Sequence, residues 1–153
     1  MSIEAIYARQ VRPAIQGTLQ ALKDDIEAGL VGDLRRRAAG EVIVDMLGLS
    51  KEALKDGRDG AKNVAAVLAA AAYEDTIRRM GSAYANVQER RDLAQILEAL
   101  KQAKAIEGAP FVTAQSYLKF RNDALHADWA KIDHAVVGSC VAFVEHLLLK
   151  HFS

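Results

Sequence analysis

Proline is almost missing from this chain. Pro13 and Pro110 are the two in 153 residues, so long stretches carry nothing that would remove an amide donor and break a helix. Ala, Leu, Lys, Glu and Gln are abundant and aromatic residues make up only 6%. That balance favours helices over the β-branched, turn-rich make-up of a sandwich. The expected fold is all-α, an antiparallel helical bundle of roughly five to seven helices, with residues 1–153 forming a single domain.

Helical spacing supports this along the chain. Ile3, Ile6, Tyr7, Ile15, Leu19, Leu22 and Ile26 mark a first helix, kinked at Pro13 and capped by Gly29. Asp33 is placed to cap a second, carrying Leu34, Val42, Ile43, Met46 and Leu47 and stopping at Gly48. Ser50 would open a short helix through Leu54, and the segment DGRDG after it is the clearest loop. A helix from Lys62 to Met80 closes at Gly81. Another carries Leu93, Ile96, Leu97 and Leu100 and ends at Gly108, and a further one runs from Pro110 to Ala127. Asp133 caps the last, whose apolar stripe is Val137, Cys140, Val141, Val144, Leu147 and Leu148.

Twenty basic and twenty acidic side chains cancel. Any nucleic-acid site must therefore be local rather than the product of a global field. A single cysteine, Cys140, leaves no disulfide pair and no CxxC motif. This fits a reducing, cytoplasmic setting, as does the charged N-terminal segment. Val64 to Tyr73, the longest small and apolar run, is half of what a bilayer requires, so no membrane span is expected.

One helix departs from a plain bundle. At about 100° per residue, Phe111, Ala114, Tyr117, Leu118, Ala124 and Leu125 share a side of the Pro110 helix, and Arg121 falls in their middle. Its stem can pack on the core while the guanidinium reaches out to water. Asn122 and His126, four apart, share one edge of the same helix. Together Arg121, Asn122 and His126 are able to converge on one small anion.

The string RNDALH, Arg121 to His126, within LKFRNDALHADW, resembles the RX4-6H signature of the HEPN superfamily of helical-bundle proteins: an arginine, a polar residue, then a histidine. Its place in the penultimate long helix is also that of the family, and AAYEDTIRRM, residues 71–80, resembles an earlier core helix of several relatives. The resemblance implies a metal-independent endoribonuclease of toxin or defence type, with Arg121 and His126 catalytic, Asn122 assisting, and no cofactor. RNA is the implied substrate. A homodimer with a composite site and a cognate antitoxin protein are the implied partners. Some members of the family have lost catalysis and bind nucleic acid or a partner protein instead.

The chemistry of the side chains is compatible. Cleavage through the 2′-OH requires proton transfer and a cation beside the crowded phosphorane. Imidazole titrates near neutrality and a guanidinium forks onto phosphate oxygens. One motif holds one histidine, so two copies face to face would supply the second proton carrier.

Around the motif, Lys119, Lys131 and Trp129 are candidate RNA contacts, the last by base stacking or as a core or interface residue. Asp75 and Arg78 share a face with Val64, Val67, Leu68 and Ala71, so Asp75 either orients Arg121 or pairs locally with Arg78; Glu74 is a weaker version of the same idea. Arg35 to Arg37, Arg78 with Arg79, and Arg90 with Arg91 are either RNA contacts or solvated charge. His134, His146 and His151 have no partner at metal-ligand spacing, and no metal or nucleotide motif occurs.

Overall fold

In the computed structural model, which describes residues 12–88 and 90–152, α1 (Arg12–Lys55) runs unbroken where the sequence pattern expects three helices. The continuity has a simple cause. A glycine inside a helix costs only about 1 kcal/mol relative to alanine, and Gly29 and Gly48 lack the following proline that would enforce a stop. Ser50, expected as a cap, lies mid-helix and buried, donating its hydroxyl to the Ala65 carbonyl at 2.8 Å. Val42 to Val44 is helical too. The part of the expected first helix before Arg12 lies outside the described residues.

Two units divide the chain, Met1–Glu41 and Val42–Ser153. In the first, the described residues form the N-terminal stretch of α1, and Leu19, Leu22 and Ile26, expected in the core, are exposed.

The second unit is an all-α bundle. It contains the end of α1, then α2 (Asp59–Ala85), α3 (Leu93–Gln102), α4 (Ala109–Leu125), a 3-10 turn (Trp129–Lys131) and α5 (His134–His151). Among the described residues there is no strand. α2 is the hub, packed against α3, α4 and α5. It manages this with small residues: Ala65, Ala66, Ala69, Ala70 and Ala72 have no exposed surface, beside buried Tyr73, Ile77 and Met80. Backbones can then approach closely, and Cys140 Sγ of α5 sits 4.0 Å from the Ala69 carbonyl oxygen. Burial pushes that thiol up to about 12. Val64 and Val67, read from the sequence as part of the packed face, point outward.

Gly81 illustrates the same close packing. Rather than ending α2, which continues to Ala85 and is capped by left-handed Asn86, it makes room for α3. A Cβ there would lie 2.4 Å from the Ile96 Cγ2 methyl. α3 begins after Asp92, whose carboxylate accepts from the Ala94 amide, and ends at Gln102, earlier than expected. Against it, α4 runs antiparallel: Gln115 reaches Glu98 at 3.4 Å and Lys101 sits over the Phe111 ring. Gly108, with φ of 61°, and Pro110 open α4. Asp133 caps α5 as expected, accepting from the Val136 amide at 2.8 Å. Among the described residues no helix is long and apolar enough to cross a membrane.

Candidate functional site

α4 is held to α2 by an aromatic anchor. Tyr73 is fully buried and donates its hydroxyl to the Ala114 carbonyl at 2.6 Å, while its ring meets that of Tyr117 edge-on. Burial keeps the phenol far above its ordinary ionisation range. With the anchor fixed, the next residue of α2, Glu74, faces Arg121 of α4.

Glu74, not Asp75, is the partner of Arg121. The Arg121 Nε and Nη2 both contact Glu74 Oε2, at 2.7 and 2.5 Å. Arg78 takes the other carboxylate oxygen through Nε and Nη2, at 2.9 and 2.7 Å, and donates from Nη1 to the Arg91 carbonyl. Two guanidinium groups thus share one carboxylate, with all three side chains between a fifth and a quarter exposed. Burial alone would raise the Glu74 carboxyl, but the hydrogen bonds and charges of Arg78 and Arg121 outweigh it and hold the group below the usual carboxylate range.

Asp75 pairs with Arg79 at 2.9 Å, one turn along α2. The expected Asp75–Arg78 and Asp75–Arg121 contacts therefore give way to Asp75–Arg79. The error comes from the helix face: valines at 64 and 67 looked like core, whereas alanines carry it, and Asp75 turns with the valines. The better signal was present in sequence as Glu74 and Arg78, an i,i+4 pair with acid first.

Arg121 and Asn122 are brought together. Arg121 Nη1 donates to Asn122 Oδ1 at 2.8 Å, so the Asn122 amide nitrogen is left as an outward donor. The remaining guanidinium N–H donors have no partner among the described residues.

His126 occupies the C-cap of α4, its amide bonded to the Asn122 carbonyl at 3.0 Å. Beyond it the chain turns through left-handed Ala127 (φ 61°), with the Asp128 amide on the Asp123 carbonyl and the Ala127 amide on the Ala124 carbonyl. This is a Schellman closure with alanine where glycine is usual. It leaves the His126 side chain exposed, and among the described residues no hydrogen bond or ion pair reaches the ring. His126 is not bonded to Arg121 or Asn122 side chains; it shares their helix end.

The flanking candidates are engaged elsewhere. Lys119 pairs with buried Asp123 at 2.5 Å and Lys131 with Asp128 at 3.2 Å. Trp129 is half-buried against the core. Asp123, within the motif string but not weighed as part of the site, is one of three buried polar residues among those described. Among the described residues no three His, Cys, Asp or Glu side chains cluster as metal ligands would.

Comparison of the chain with family models, with curated proteins and with solved structures gives no match.

Proposed function

We propose that the chain is a metal-independent endoribonuclease of HEPN type. The observation that carries this reading is the pairing of Arg121 with Asn122 one helical turn from an exposed, unengaged His126. In this mechanism the ribose 2′-OH attacks the adjacent phosphorus and the 5′-oxygen leaves, giving a 2′,3′-cyclic phosphate and a free 5′-OH. His126 carries the proton at its ring nitrogen, and Arg121 with the Asn122 amide neutralises the phosphorane oxygens. The second proton carrier comes from a second copy that brings its own His126 to the same cleft, making a homodimer through the Arg121 to Trp129 segment. The setting is the cytoplasm, with a cognate antitoxin protein as the natural restraint.

One observation favours a second reading. Arg121 is tied to Glu74, an anion already in place, and in a non-catalytic module that binds nucleic acid or a partner protein the pair would simply join α2 to α4. Incubation of the purified chain with single-stranded, transfer and ribosomal RNA separates the two. Cleavage that survives EDTA and disappears in His126→Ala supports the ribonuclease. Intact RNA after prolonged incubation with the wild-type chain at micromolar concentration refutes it in favour of the binding module.

A further inference from the structure

Four residues beyond Arg78, on the same flank of α2, Ser82 lines a shallow depression of about 440 Å³ with Asn86, Val87, Gln88 and Arg90. Among the described residues a hydroxyl, two carboxamides and a guanidinium surround one aliphatic side chain, and in the sequence Glu89 stands between Gln88 and Arg90. The four polar side chains are exposed, and among the described residues none has a hydrogen-bonded or charged partner. The volume suits one nucleotide-sized group. Carboxamides read donor and acceptor patterns on base edges, and arginine forks onto phosphate or guanine.

Arg78 connects this depression to the motif. Its guanidinium binds the Arg91 carbonyl, adjacent in sequence to Arg90, and the Glu74 carboxylate that also holds Arg121. From Glu74 to Ser82 the rise along α2 is about 12 Å. Arg121, Arg78, Arg91 and Arg90 therefore form a chain of neighbours that begins at the motif and ends in the depression. Arg78, Arg90 and Arg91 belong to two of the basic pairs that the sequence set apart, while Arg79, the remaining member, pairs with Asp75.

We propose that the depression binds a nucleotide flanking the scissile bond of a single-stranded RNA, with Gln88 and Asn86 on the base and Arg90 on the backbone. This rests on the ribonuclease reading for the position of the scissile bond, though not for the binding itself. A strand fits better than a free nucleotide. The depression is too open to enclose most of a small ligand's surface, as small-molecule sites do, whereas a strand anchored at the motif needs only a partial second hold.

The test uses the full chain carrying His126→Ala, chosen to slow any turnover, titrated by fluorescence anisotropy against an end-labelled single-stranded RNA. Adding Gln88→Ala and Arg90→Ala should weaken binding about tenfold and lower its salt dependence. Far-UV circular dichroism of that variant should match its parent, because both side chains are exposed. Affinity unchanged within twofold overturns the proposal, and so does competition by free adenosine monophosphate at low micromolar concentration, which would mark a mononucleotide site. In the otherwise native chain the same pair should raise KM and leave kcat. Cleavage that ignores Gln88 and Arg90 sinks the depression alone. RNA binding that depends on them, in a wild-type chain that never cleaves, sinks the ribonuclease alone.

Discussion

Replacing Glu74 by alanine removes the carboxylate that Arg78 and Arg121 share and takes away the negative charge between their two guanidinium groups. An exposed ion pair contributes about 0–1 kcal/mol, and stranding a fully buried partner costs about 3–5 kcal/mol. Glu74, Arg78 and Arg121 are 21%, 24% and 25% exposed, between those limits, so a loss of about 2 kcal/mol is expected. For a chain of this length that lowers the melting temperature by about 4–8 °C. The sign of the pH dependence follows from the depressed carboxyl. Its stabilisation is fully present above the unfolded-state value of about 4.3 and is lost as pH falls through the lower folded-state value. The gap between wild type and Glu74→Ala, measured by urea unfolding at a series of pH values, should be full at neutrality and begin to narrow only once the pH falls below about 4.3. Arg121→Ala should cost less, about 1 kcal/mol, because Glu74 keeps both contacts to Arg78. Equal stability of Glu74→Ala and wild type at pH 7, or a gap that persists undiminished into acid, would refute the reasoning.

Four further outcomes are expected. His126→Ala should lower RNA cleavage by about 10²- to 10⁴-fold and leave the melting curve within a degree or two, since its ring is exposed and unpaired; activity assays beside calorimetry check both. Ala127→Gly should stabilise the chain by about 0.5–1 kcal/mol by relieving a left-handed alanine, and a fall in melting temperature would contradict the closure described for α4. Gly81→Ala should destabilise by about 1–3 kcal/mol despite alanine's better helix propensity, because the new methyl meets Ile96; a neutral result in chemical denaturation would be fatal to that view. Light scattering at low micromolar concentration should report a dimer, and a strictly monomeric chain that still cleaved RNA would exclude a composite site.

What could be read from the sequence, and what could not, follows from contrast between residue types. The last helix was plain because a carboxylate cap and large aliphatic residues mark both its start and its buried face. α3 gave a clear apolar stripe through Leu93, Ile96, Leu97 and Leu100, all buried, although its end was misplaced. The pattern divides α1 into three because its glycines look like stops, yet each costs too little to end a helix that no proline interrupts. α2 misled in the opposite way. Its alanines carry little hydrophobic signal, so the pattern takes its face from the exposed valines and points Asp75, in place of Glu74, toward Arg121. Residues that act by proximity across helices, such as Gly81 or the Arg91 carbonyl, leave no local pattern at all.

The alanine seam of α2 also governs how freely the chain can vary. Most core positions accept several aliphatic side chains of similar volume, but Ala65, Ala66, Ala69 and Ala70 have no exposed surface, so a larger side chain there must displace packed neighbours, and only glycine is smaller. The helix at the hub of the bundle should therefore tolerate few substitutions along this seam. Its residues look like the least informative in the chain, since alanine is what a helix contains by default. In a saturation mutagenesis map they would stand out as a row of positions closed to nearly every larger residue, running alongside the tolerant, solvent-facing Val64 and Val67.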